Sequence, residues 1–241
     1  MSRTDQIYAQ KLPEIPVFSF NEAVADVFTD MINRSVPGYH SVLAILGSLS
    51  SACVTQNSNV YDLGCSLGAA SLMLQQHITA EPVQIIAIDN SSAMIEKAKA
   101  ELSDSVSLRC EDVLETVIEN ASLACLNLTL QFIAPEDRNK LLENIYQGLN
   151  PGGAVMIFEK IRFADKATNE LMINLHHQYK KTNGYSSMEI SQKRTALENS
   201  LVPDTPEQHE QRLATIGYTP VTRVFQALNF MAWIAWKPVD A

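Results

Sequence analysis

The chain has 241 residues, 46% of them hydrophobic and 19% charged, which suits one globular α/β core with room for an elaboration. Its net charge of −9 speaks against a protein that grips a nucleic acid backbone by itself, and no apolar run approaches the ~20 residues needed to span a bilayer. The start, Met1-Ser2-Arg3-Thr4-Asp5, lacks the apolar core of a signal peptide, so a cytoplasmic location is expected.

Residues 1–17 show no period and are broken by Pro13 and Pro16, which predicts a mobile arm or a strap. Over 21–32 the apolar positions Ala23, Val24, Val27, Phe28, Met31 and Ile32 recur at helical spacing, with Asn21 placed as the cap. A turn at Val36-Pro37-Gly38 then delivers Tyr39 in a new direction, either over a ligand or into the core. A second helical pattern covers 41–53. Next comes Val60-Tyr61-Asp62-Leu63, an apolar run carrying an acid, followed by Gly64-Cys65-Ser66-Leu67-Gly68 and a helix. A second apolar run over 83–88 also ends in an acid, Asp89. Strand, glycine turn, helix and strand make a βαβ unit, and an acid at the tip of its second strand can accept hydrogen bonds from both hydroxyls of a ribose. A dinucleotide site would carry a glycine where Ser66 stands. The Asp62-x-Gly64-x-Ser66-x-Gly68 pattern instead resembles the first motif of class I S-adenosylmethionine-dependent methyltransferases.

Asn90, Ser91 and Ser92 can cap a helix reaching Leu102, with Glu96 expected in its first turn. A third strand over 106–109 leads to Asp112 and Val113, placed either to meet an adenine ring or as a solvated turn. Residues 121–126 read as a central strand, ending at Asn127, with Asn127 and Gln131 as site candidates. A helix is expected over 135–148, then a Pro151-Gly152-Gly153 turn and a strand over 154–158. The cysteines at 53, 65, 110 and 125 have no Cys-x-x-Cys spacing, so neither a disulfide framework nor a metal site is expected. Cys65 reads as a small residue beside a ligand rather than a nucleophile.

Residues 160–203 exceed what one crossover needs and show helical patterns over 167–179 and 187–201. This insertion carries Lys or Arg at 160, 162, 166, 180, 181, 193 and 194 against acids at 165, 170, 189 and 198, a local excess of +3 in a chain of net −9. Such a patch suits an anionic small substrate or a solvated helix face. Of the adjacent His176 and His177, only one can enter a site. A last helix over 205–216, stopped by Gly217, and two apolar runs over 221–227 and 230–236 close the chain as an antiparallel hairpin. The expected fold is a Rossmann-like class I methyltransferase fold: a seven-stranded, mostly parallel sheet with a C-terminal antiparallel hairpin. It is expected as a single domain with an N-terminal helical cap (1–55), a cofactor-binding core (56–159), a helical insertion (160–203) and a final helix and hairpin (204–241).

The combination of Val36-Pro37-Gly38-Tyr39, Gly64-Cys65-Ser66-Leu67-Gly68, Asn127-Leu128-Thr129-Leu130-Gln131-Phe132 and Ser191-Gln192-Lys193-Arg194 closely resembles the carboxy-S-adenosyl-methionine synthase family over nearly the whole chain. The resemblance implies an enzyme that carboxylates the methyl group of S-adenosylmethionine, with prephenate as carboxyl source, giving carboxy-S-adenosyl-methionine and phenylpyruvate. A conventional small-molecule methyltransferase and a non-catalytic cofactor-binding protein would share the fold-level features. The resemblance further implies cofactor contacts at Tyr39, Gly64, Cys65, Ser66, Asp89, Asn90, Asp112, Val113 and Asn127, with Arg194 and Tyr39 as the groups that meet the added carboxylate. It implies no metal, a homodimer, and no direct contact with RNA, since a separate transferase uses the product on the wobble uridine of transfer RNA.

Overall fold

The computed structural model describes residues 3–240. The βαβ signal is realised as β1 (Ser58–Leu63), α3 (Ala69–His77) and β2 (Val83–Asp89), followed by α4 (Ser92–Glu101), β3 (Val106–Cys110), β4 (Ala121–Asn127), α5 (Arg138–Gly148) and β5 (Leu149–Lys160). Two helices, α6 (Lys166–Thr182) and α7 (Ser187–Leu197), form the insertion, and α8 (Pro206–Ile216) leads to β6 (Val221–Ala227) and β7 (Phe230–Trp236). Ahead of the sheet lie α1 (Glu22–Ser35) and α2 (Tyr39–Cys53).

The seven strands form one sheet in the order β3-β2-β1-β4-β5-β7-β6. β1 pairs in parallel with β2 and β4, and β5 pairs in parallel with β4 and antiparallel with β7. This is the expected Rossmann-like arrangement with its antiparallel hairpin. Covered on both faces, the central strands are mostly apolar: every residue from Ala121 to Leu126 is buried, and Val60, Leu63, Leu123 and Leu126 are wholly inaccessible. Each such side chain contributes ~1.5–3 kcal/mol of burial. The parallel strands end at one edge, where Leu63, Asp89 and Asn127 lie close together.

Several boundaries differ from expectation, each for a local reason. Glu96 lies beyond the first turn of α4, whose cap is Ser91 accepting from Met94 N–H. α5 starts at Arg138 rather than 135, because residues 130–137 are spent on a 3-10 turn (Leu130–Phe132) and a further tight turn. β5 begins five residues early, at Leu149, since Gly152 and Gly153 exchange backbone bonds with Lys237 and extend the sheet edge. α7 stops at Leu197 instead of 201: the chain unwinds so that Val202 N–H can reach Gln131 O, and Pro203 bars a longer helix. The amino-terminal residues form a strap. Gln192 accepts from Leu12 N–H at 2.7 Å and donates to Tyr8 O and Gln10 O at 3.0 and 2.8 Å, while Tyr185 donates to the buried Asp5 at 2.5 Å.

Candidate functional site

The cleft is built on the turn after β1. Gly64 (φ +82) and Cys65 both donate their N–H to Ile88 O at 2.8 Å, drawing the turn against the end of β2. A Cβ on Gly64 would fall 2.4 Å from the Thr129 hydroxyl, so only glycine fits both the angle and the space. Ser66 takes the left-handed region at φ +50 and donates its N–H to Asp89 Oδ2 at 2.9 Å, while Ser91 N–H donates to Oδ1 at 2.9 Å. Each oxygen of Asp89 retains a lone pair, so the carboxylate is oriented yet still able to accept from two hydroxyls. Burial raises the Asp89 pKa and the two N–H donors draw it back. Beneath the turn, the fully buried Asp62 accepts from Ser71 N–H at 3.0 Å and from the Ser71 hydroxyl at 2.6 Å in the first turn of α3. Burial still pushes its carboxyl up to about 6.

The turn after β4 forms the opposite wall. Glu159, wholly buried at the end of β5, accepts N–H bonds from Thr129, Leu130 and Gln131 at 3.0, 2.7 and 3.1 Å. These three donors hold the turn in shape, although burial pushes the carboxyl up to about 8. Asn127 Nδ2 donates to Tyr39 Oη at 3.5 Å, and Asn127 Oδ1 is buried with no partner. Buried acceptors are nearly always satisfied, so this oxygen keeps an unused capacity to accept at the wall of the cleft. Burial, and then the charge of Asp62, raises the Tyr39 phenol well above its ordinary value, which keeps it a donor.

Gly64 and Ser66 divide the cleft into two lobes. The outer lobe, about 610 Å³, is lined by Asp89, Asn90, Asp112 and Val113. Asp112 Oδ1 accepts from Leu114 N–H at 2.9 Å, which fixes its carboxylate at the rim. The inner lobe, about 120 Å³, is entered past Tyr39, Cys65 and Asn127. Its lining combines Phe18, Phe20, Phe28 and Met31 with Lys160, His176, Lys180 and Lys193. The arrangement can take a nucleoside with its ribose on Asp89 and pass the attached chain inward to a cationic chamber.

Residues 60–153 match a family model described as a methyltransferase domain. The chain is 49% identical over 241 residues to the carboxy-S-adenosyl-L-methionine synthase of Vibrio vulnificus, covering 98% of each. To the protein of the same name from Pasteurella multocida it is 47% identical over 238 residues, covering 97% of this chain and 99% of that one. The chain belongs to the carboxy-S-adenosyl-L-methionine synthase family. Among solved structures, human N-acetylserotonin methyltransferase in complex with SAM aligns over 90% of this chain and 55% of its own, with a TM-score of 0.61 at 17% identity. The S-adenosylmethionine-dependent methyltransferase SibL aligns over 90% and 58%, with a TM-score of 0.64 at 16% identity. At these identities the likeness is one of fold.

In this synthase-family chain Tyr39, Gly64, Cys65, Ser66, Asp89, Asn90, Asp112, Val113 and Asn127 all line the two lobes, and Gln131 joins them. Arg194 does not. It is exposed in a separate groove between α6 and α7 with His177, Lys181 and Ser191. The reason is helical geometry: α7 buries Ile190, Gln192, Lys193 and Ala196, and the ~100° step from 193 to 194 turns the arginine outward. The same step separates the histidines of α6, so His176 faces the inner lobe and His177 the outer groove. Three groups of site residues escaped the sequence reading. Phe28 and Met31 read as ordinary helix core, Phe18 and Phe20 precede the helix in a stretch with no pattern of its own, and Glu159 follows the expected strand. Lys160, Lys180 and Lys193 appear in the sequence only as part of a charge excess. Strand alternation offers one signal, since Lys160 follows the core residue Phe158 by two and shares its face.

Proposed function

We propose that the chain converts S-adenosylmethionine and prephenate to carboxy-S-adenosylmethionine and phenylpyruvate, as the family resemblance implies. What supports this most is identity of 47 to 49% across almost the whole chain to enzymes bearing that name. The balance is simple. Prephenate loses its ring carboxylate as carbon dioxide and its ring hydroxyl as hydroxide while the ring aromatises; the hydroxide takes a proton from the sulfonium methyl and leaves as water. The methyl carbon then captures the carbon dioxide. In this reading Asp89 holds the ribose and Asp112 and Val113 meet the adenine. Asn127 Oδ1 accepts from the methionine part, and Tyr39 donates toward the new carboxylate. The cavity walls shield the short-lived carbon dioxide acceptor from water.

A net charge of −9 accords with a chain that hands its product to a separate transfer RNA carboxymethyltransferase in the cytoplasm without holding RNA itself. The working unit in this proposal is a homodimer. Arg194 stands outside its own cavity, and Leu171, Leu175 and Met188 of the insertion are exposed at 53, 41 and 38%, which suits a covered face. The test is mass spectrometry of the cofactor after incubation with and without prephenate. The expected result is a gain of one carbon dioxide only when prephenate is present. S-adenosylhomocysteine formed with some acceptor would instead indicate a methyltransferase, and no product at all a binding protein. The same preparation should sediment at twice the 26.7 kDa chain mass.

A further inference from the structure

The inner lobe holds more positive charge than its own fold uses. Lys193 Nζ is paired with Asp5 at 3.7 Å and lies 3.4 Å from the Ser35 hydroxyl. Lys160 and Lys180 are different: among the described residues neither ammonium has a carboxylate within ion-pair reach. The lobe's only acid among these residues, Asp62, is already turned to Ser71 and the Cys125 thiol. Burial, and then the charge of Arg194, lowers the Lys160 pKa. Burial, followed by Lys160, Lys193 and Arg194, pushes Lys180 down to about 7. Part-buried cations that repel one another and lack a counterion are a cost to the fold, and a bound anion reduces it.

Resting on the function proposed above, the co-substrate is a dianion, and its two carboxylates have different fates. The ring carboxylate departs as neutral carbon dioxide, so a cation pressed against it would hold the ground state more firmly than the transition state and slow the reaction. The side-chain carboxylate stays charged from substrate to product, so cations can grip it without that penalty. The lining of the inner lobe offers surfaces of both kinds, the apolar Phe18, Phe20, Phe28 and Met31 as well as the lysines. We infer that Lys160 and Lys180 bind the carboxylate that the co-substrate keeps, leaving the ring and the carboxylate to be lost against the aromatic wall beside the cofactor turn. The end of β5 and the last turn of α6 thereby set the orientation of the acid.

Phenylpyruvate provides the discriminating probe, because it retains the side-chain carboxylate and lacks the one transferred. In Lys160→Met and Lys180→Met, phenylpyruvate binding should weaken by about tenfold or more and KM for prephenate should rise by a similar factor. Affinity for S-adenosylmethionine, which also reports a folded site, should stay within about twofold in each variant. Should prephenate suffer while phenylpyruvate binds as before, the lysines hold the transferred carboxylate and the assignment is overturned; no change for either ligand also overturns it. A measurement on the unaltered protein stands apart from any folding defect: the uncharged amide of phenylpyruvate should bind about tenfold more weakly than the acid, and equal binding would refute a cationic subsite. If the protein forms no carboxy-S-adenosylmethionine, the reaction reading fails, and these binding comparisons still decide what the lysines hold.

Discussion

At the scale of single residues, Asp89 is the position on which cofactor binding turns. Its carboxylate is held from behind by the N–H groups of Ser66 and Ser91, both at 2.9 Å, so its remaining lone pairs are aimed before any ligand arrives. Charge-assisted bonds of this kind contribute ~1.5–3 kcal/mol each. Asp89→Ala should therefore weaken S-adenosylmethionine by at least about tenfold in calorimetry, with the far-ultraviolet spectrum unchanged. Unaltered affinity in a folded variant would remove the ribose from this carboxylate. Glycine at 64 and serine at 66 were legible in the sequence because each answers a backbone demand within a few residues. The orphaned oxygen of Asn127 was not, since it depends on Tyr39, 88 positions away.

Among the elements, the N-terminal strap and the insertion depend on each other. Three hydrogen bonds from Gln192 of α7 fasten the backbone of Tyr8, Gln10 and Leu12, and Asp5 lies between Tyr185 and Lys193. The strap thus supplies the counterion that holds Lys193 beside the inner lobe. Truncating Gln192 to alanine leaves one backbone N–H and two carbonyls without partners, which should cost ~1–3 kcal/mol of local stability. Limited proteolysis should then cut near residues 8–14 far faster than in the unaltered protein, while the sheet remains intact. Equal cleavage rates would mean that the strap is held by its other attachments, at Asp5, Arg3 and Phe18. The periodicity of residues 1–17 held no hint of this attachment, because a strap has no repeating face; it is bonded one residue at a time.

For the molecule as a whole, the electrostatics of the inner lobe arise from several elements at once. Lys180 of α6 feels the charges of Lys160 from β5 and Lys193 from α7, and that of Arg194 from the neighbouring groove, with His176 and His177 on its own helix. His176, pushed down to about 2 by burial, is neutral at any working pH, so the lysines carry the field. A lowered lysine pKa means that the ammonium is present below about 7 and lost above it. The form that attracts an anion is the protonated one, so kcat/KM for prephenate should fall as pH rises through about 7, and the fall should move to higher pH in Lys180→Arg. A profile flat from pH 6 to 9 would take Lys180 out of substrate binding. The order of strands, the glycine turn and the acids at strand ends could be derived from the sequence alone, because alternation, helical period and turn chemistry are local properties. Only the tertiary structure decided that Lys160, Lys180 and Lys193 converge while Arg194 points away, and that Asp5 meets Tyr185 across 180 positions. A charge count records that cations exist, whereas the packing of α6 and α7 on the sheet determines which of them share one desolvated space.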